Sequence, residues 1–223
     1  MKHRIIIAVV VLLGILATGC SNANDHTMPL ATTGTIGINS ASIQSVNDLN
    51  LSLSTDSTTY RRGQAVSIVI DETNTLSTTN IVSASDKWPY NHLHLGPCDY
   101  ISPFGMAVFQ GNYNASNFST ATALTLFDPH IARTCMTNVP VTSFSFQPSS
   151  DIANVIEDSG PYPNPYPNGN ITKMNFELIL NGYWPDDNYN SHSHLTYFNP
   201  GIYTIVGGDE WGTLVIVHFT VSK

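Results

Sequence analysis

Charge is scarce in this chain, and positive charge scarcer still. Only 11% of the 223 residues are Asp, Glu, Lys or Arg, and the 8 basic residues face 16 acidic ones. Nucleic acids and anionic headgroups demand cationic contacts, so this balance argues against both as partners. The Ala/Glu/Lys/Leu mix of helical proteins is missing too, and no segment keeps an apolar period of 3.6 residues between caps. There are three cysteines and no Cys-x-x-Cys, the spacing that zinc sites favour. Gly-x-Ser-x-Gly, His-Glu-x-x-His, the phosphate-binding loop and Gly-x-Gly-x-x-Gly are all absent, which leaves no reaction to name. The most apolar run, Ile5 to Ala17, is shorter than the roughly 20 helical residues needed to span a bilayer core.

That short run is nevertheless the most telling part of the chain. Lys2-His3-Arg4 gives it a cationic start, and small residues close it, which are the parts of a secretory signal. It ends in Leu16-Ala17-Thr18-Gly19-Cys20, which resembles the lipobox of bacterial lipoproteins, although Ala17 stands where Leu, Val or Ile is commoner. The resemblance implies cleavage by signal peptidase II before Cys20 and diacylation of that cysteine. Acyl chains such as palmitate, held at about 0.8 kcal/mol per buried CH₂, would anchor the protein stably. Its expected place is the cell envelope, tethered to a membrane and facing the extracytoplasmic side. Removal of residues 1–19 takes away Lys2 and Arg4 and leaves 6 basic against 16 acidic residues, a net −10.

With Cys20 lipidated, Cys98 and Cys135 remain as an even pair in an oxidising compartment. A disulfide between them would add ~4 kcal/mol in the chain-entropy model. A pair of thiolate metal ligands is the weaker alternative, given their wide separation.

The domain layout expected is a signal peptide over 1–19, a lipidated flexible tether over 20–47, and a β-sandwich over 48–223. Ser21 to Asn47 is small, polar and weakly patterned, with a coil-like reach of roughly 30 Å. Leu49, Leu51 and Leu53 then alternate with Asn50, Ser52 and Ser54; Val66, Ile68 and Ile70 share one face of a second strand. This strand–turn–strand, with Tyr60-Arg61-Arg62-Gly63 between, resembles the opening hairpin of bacterial immunoglobulin-like domains. Further strands are expected at Asn91–Leu95, Met106–Gln110, Ala123–Phe127, Thr142–Phe146 and Met174–Asn181, and a short helix at most over Ser150–Glu157.

At the C-terminus, Pro200-Gly201-Ile202-Tyr203 resembles the tyrosine corner of Greek-key sandwiches. A turn-rich Gly207-Gly208-Asp209-Glu210-Trp211-Gly212 leads to a last strand over Thr213–Val221. That strand is apolar on both faces, which calls for something packed over its outer side. The fold expected is thus all-β, an immunoglobulin-like Greek-key sandwich.

Two His-x-His pairs, His92/His94 and His192/His194, each point two imidazoles the same way if they lie on strands. Facing one another, they would make a four-nitrogen site for copper or zinc, with His130, His218, Met106 or Met136 as extra ligands. Ordinary polar histidines on strand ends are the competing reading. A cupredoxin site needs a free cysteine, which the expected disulfide removes. Asp186-Asp187-Asn188-Tyr189-Asn190 opens like a calcium loop, but Ser191 replaces the sixth-position Gly and Tyr197 the twelfth-position Glu.

The tandem Pro161-Tyr162-Pro163-Asn164 and Pro165-Tyr166-Pro167-Asn168 is stiff and extended. Tyr162 and Tyr166 on it, with Trp88 and Trp184, are the candidates for gripping a glycan or a peptide. Glu72, Glu157, Glu177 and Glu210 are the only glutamates from which a hydrolase pair could be drawn. The expectation is a non-catalytic binding or structural role, with an envelope protein or glycan as partner and no resident cofactor. A copper or zinc protein and a hydrolase without a motif are the alternatives.

Overall fold

The computed structural model describes residues 39–85, 89, 93, 102–129, 141–157, 170–185 and 194–223. The chain divides into Met1–Thr35 and Ile36–Lys223, and the first unit lies outside the described residues. In chain order the strands begin with β1 (Asn39–Gln44), β2 (Leu49–Thr55), β3 (Thr59–Arg61), β4 (Val66–Asn74), β5 (Asn80–Ser83), β6 (Phe104–Gln110) and β7 (Val141–Phe146). They continue with β8 (Ile152–Glu157), β9 (Asn170–Lys173), β10 (Asn175–Leu180), β11 (Gly182–Tyr183), β12 (Thr196–Tyr197), β13 (Gly201–Asp209) and β14 (Leu214–Ser222). A single 3₁₀ turn, Phe118–Thr120, is the one helical element among the described residues.

The strands form three four-stranded sheets and one small ladder. Sheet I runs β1-β2-β4-β10, sheet II runs β3-β14-β13-β6 and sheet III runs β5-β7-β8-β9, while β11 pairs with β12. All the pairings are antiparallel except β3 beside β14, which is parallel. The protein is an all-β sandwich. Period-two alternation sets the layers: Leu49, Leu51, Leu53, Val66, Ile68 and Ile70 have no solvent exposure, whereas Asn50, Ser52 and Ser54 point outward. Burial of each such aliphatic contributes about 1.5–3 kcal/mol. Sheets I and II meet closely at Gly207 on β13, where an added Cβ would stand 2.9 Å from Ile70 Cδ1. A side chain there would have to displace Ile70 Cδ1.

Several expectations are corrected. The segment read as the end of a tether contains β1, paired with β2 from Asn39↔Thr55 to Gln44↔Asn50, so the folded unit starts before residue 48. Its sequence hid it because an edge strand needs only one inward row. Ala41 alone packs on the core, Ile43 is largely exposed, and Asn39 Nδ2 donates to the His218 carbonyl at 2.6 Å. Ser150–Glu157 is no helix: Ile152–Glu157 is β8, with Ala153 opposite Phe146 and Val155 opposite Phe144. A small residue facing a large ring satisfies the core without looking apolar in sequence.

Ala123–Phe127 is also not a strand. It makes one bridge, Thr125↔Trp184, and Leu124 N–H donates to the Val108 carbonyl, so it covers the free edge of β6. Of Asn91–Leu95, only Leu93 is described, and it is buried.

The last strand behaves as its composition demands. Val215, Val217, Phe219 and Val221 face the main core, and the outer face of sheet II is covered by a second core. That second core gathers Leu93, Ala107, Phe109, Phe118 and Val206, with Tyr113, Leu214 and Ile216 against it. Two polar groups on this outer side are tied down. Thr204 Oγ1 donates to the Gly111 carbonyl and accepts from Tyr113 N–H, and His218 Nε2 donates to the Tyr113 carbonyl at 2.8 Å.

The tyrosine corner forms. Tyr203 Oη donates to the Asn199 carbonyl at 2.9 Å while its ring, fully buried, stacks on Phe219 at 5.1 Å. Tyr60 closes the same end, edge-on to Phe219, with its hydroxyl donating to Asp56 Oδ1 at 2.6 Å. Burial raises both phenols, and the bond to Asp56 raises Tyr60 further.

Candidate functional site: buried carboxylates beneath the β13–β14 turn

The inward face of β4 reads Val66, Ile68, Ile70, Glu72, Asn74. A period of two therefore carries a glutamate into the core immediately after three aliphatics. The two polar residues fare differently. Asn74 Nδ2 donates to the Thr78 and Gln147 carbonyls at 2.9 and 3.0 Å, and its Oδ1 accepts from Leu76 N–H. Glu72 has 0% exposure and neither carboxylate oxygen has a hydrogen-bond partner. Its backbone is satisfied, since the N–H donates to the Met174 carbonyl at 2.9 Å.

Opposite it stands the end of β13. Asp209, also 0% exposed, uses Oδ1 to accept from Trp211 N–H at 3.0 Å and from Thr213 N–H at 2.7 Å. These bonds build the turn into β14, and Gly212 completes it at φ 98°, a conformation that favours glycine. Asp209 Oδ2 has no partner. Glu210 is almost fully buried, and its N–H donates to the Pro103 carbonyl at 2.7 Å. Trp211 then reaches across to sheet III: Nε1 donates to the Ser83 carbonyl at 2.9 Å, and the ring meets Phe144 edge-on at 6.0 Å.

The electrostatics follow from this crowding. Burial, then the negative charges of Asp209, Glu210 and Asp71, hold the Glu72 carboxyl well above its ordinary 4.5. Burial raises Asp209 as well, while its bonds to Thr213, Trp211 and Gly212 pull it back down. The Lys and Arg residues among the described ones, Arg61, Arg62, Lys173 and Lys223, are all exposed, and Lys173 pairs with Asp151 at 3.4 Å. Among the described residues no group of three or more His, Cys, Asp or Glu is arranged to hold a metal ion. What this arrangement does chemically is favour the protonated form of Glu72. With neither Glu72 nor Asp209 exposed, it offers a substrate no access, so the convergence of Glu72 with Glu210 is not the open pair a glycosidase needs.

Most residues singled out from the sequence fall elsewhere. Cys20, Cys98, Cys135, His92, His94, His192, Tyr162, Tyr166, Trp88, His130, Met136 and the Asp186–Asn190 loop lie outside the described residues. His194 is exposed beside β12. Trp184 is half-buried rather than standing free at the surface, with its N–H donating to the Thr125 carbonyl. Met106 is core, and Glu177 lies on the outer face of sheet I, where it accepts from Ser67 Oγ at 2.9 Å. Of the proposed copper or zinc set, only His194, His218 and Met106 are among the described residues.

Asp209 was missed as a buried acid. Its signal was present in Gly207-Gly208-Asp209-Glu210-Trp211-Gly212, where an acid ends a strand that is apolar on both faces. No protein-family model, no curated protein and no solved structure matches this chain.

Proposed function

We propose that this chain is a membrane-anchored cell-envelope lipoprotein with a non-catalytic binding or structural role, and that its sandwich is of the immunoglobulin-like Greek-key kind. The observation that carries the reading is Leu16-Ala17-Thr18-Gly19-Cys20 at the end of a short apolar run with a cationic start. The all-β fold beginning at Asn39 supports it, because it leaves a stretch of polar chain between Cys20 and the first described strand. The Tyr203–Asn199 bond supports the Greek-key part, since a tyrosine corner is a hallmark of such sandwiches. Loops at the ends of the sheets are the natural place for contact with an envelope protein or glycan.

The test is Cys20→Ser expressed in a bacterial host with the lipoprotein pathway. The wild-type chain should fractionate with membranes and carry acyl mass on its first residue, and the variant should lose both. Unchanged membrane fractionation of the variant would contradict the proposal.

A further inference from the structure

Glu72 is a titratable group that the proposed function does not use, and its placement is unusual. It occupies a core position on β4 of sheet I, beside Leu51 of β2 in register, and faces the end of β13 in sheet II. Among the described residues its acidic neighbours are Asp209 on β13 and Glu210 in the turn, with Asp71 next to it on its own strand but on the outer face of the sheet. Asp71 is hydrogen-bonded along its strand, with Oδ2 accepting from Thr73 Oγ1 at 2.7 Å. No described cation shares the site. A buried carboxylate without a hydrogen bond is costly, which favours its protonated form. Neither oxygen of Glu72 nor Oδ2 of Asp209 has a hydrogen-bond partner.

The turn above them is the brace that joins two sheets, through Trp211 to Ser83 and Phe144. Its own geometry hangs on Asp209 Oδ1. Charge appearing on Glu72 and Asp209 together would push β4 and β13 apart at this end, and Trp211 would lose its seat. We propose that the Glu72–Asp209 cluster makes the β13–β14 turn a proton-operated clasp, closed while the cluster is protonated and loosened as the surroundings become alkaline. The inference stands apart from the lipid anchor, because it concerns the folded sandwich alone. The ligand it names is the proton itself.

The direction is fixed by linkage. Glu72 is raised above its ordinary 4.5 on folding, so its favourable contribution is complete below that value. It is then lost as pH climbs toward the folded value, the unfolding constant growing by about tenfold per pH unit for each proton held.

The experiment uses the full chain in detergent micelles, unfolded by urea at pH 4 to 9 and followed by Trp fluorescence, together with Glu72→Gln and Glu72→Leu. Amide exchange at Trp211, Gly212 and Thr213 gives a local readout, corrected for intrinsic base catalysis. The wild-type unfolding constant should grow with pH above 4.5, and either variant should flatten that growth by one proton and slow exchange in the turn at pH 8. A wild-type unfolding constant that does not grow between pH 5 and 8 would overturn the proposal, whether or not the variants fold. So would equal pH slopes in wild type and variants. Calcium that abolishes the wild-type slope while a chelator restores it would overturn it too, by putting a cation where the proton is placed.

Discussion

The two ends of β13 solve the same problem in opposite ways. At its start Tyr203 is buried with its one hydroxyl bonded to the Asn199 carbonyl, inside a cluster of Phe198, Phe219 and Tyr60. At its end Asp209 is just as buried, yet one oxygen has no partner. The same contrast recurs two residues apart on β4, between the fully bonded Asn74 and the unbonded Glu72. Burial of a polar group is thus a source of rigidity at one end and of pH sensitivity at the other. What separates them is whether partners are supplied.

Breaking the rigid end should have the largest effect. Phe219→Ala removes a ring that touches Tyr60, Phe198 and Tyr203, and should cost about 3–5 kcal/mol in urea unfolding, at acid and neutral pH alike. Asn74→Ala comes next. It strands the Leu76 N–H and the Thr78 and Gln147 carbonyls, and a loss of about 2–3 kcal/mol is expected, again without pH dependence.

Its counterpart Glu72→Leu should move the other way. At pH 7.5 a gain of about 1–3 kcal/mol is expected, because an apolar side chain replaces a buried acid without partners. The gain should shrink toward nothing at pH 4, where the wild-type carboxyl is neutral in both folded and unfolded chains. The smallest effect belongs to Tyr203→Phe, which keeps the ring stack and removes one bond to Asn199, for about 1 kcal/mol. Opposite signs for Asn74→Ala and Glu72→Leu at neutral pH sharpen the contrast most.

Much of the sandwich was legible because strands write themselves in period two. Leu49 to Leu53, Val66 to Ile70 and Val215 to Val221 alternate as a half-buried pleat must, and Pro200-Gly201-Ile202-Tyr203 announced its corner. What escaped were elements whose burial is uneven. β1 shows one inward alanine, and β8 packs Ala153 and Val155 against phenylalanines of β7, so neither has an apolar stripe to detect. The carboxylate cluster was half legible. Continuing the β4 alternation past Ile70 lands Glu72 in the core, but that Asp209 faces it depends on how sheets I and II stack, which no local pattern encodes. The residues with the clearest chemistry in sequence, the paired histidines and the cysteines, lie mostly outside the described part, while the buried acids sit at one end of an otherwise apolar core.

The central physical claim is that Glu72 keeps its proton inside the folded sandwich at a pH where an ordinary glutamate has lost it. Carboxyl carbon chemical shifts of the folded chain, followed by NMR from pH 3 to 8 with Glu72 assigned through Glu72→Gln, test this directly. The account predicts a Glu72 signal still at the neutral-acid position at pH 6.5. A Glu72 signal that titrates near the ordinary 4.5 would contradict it.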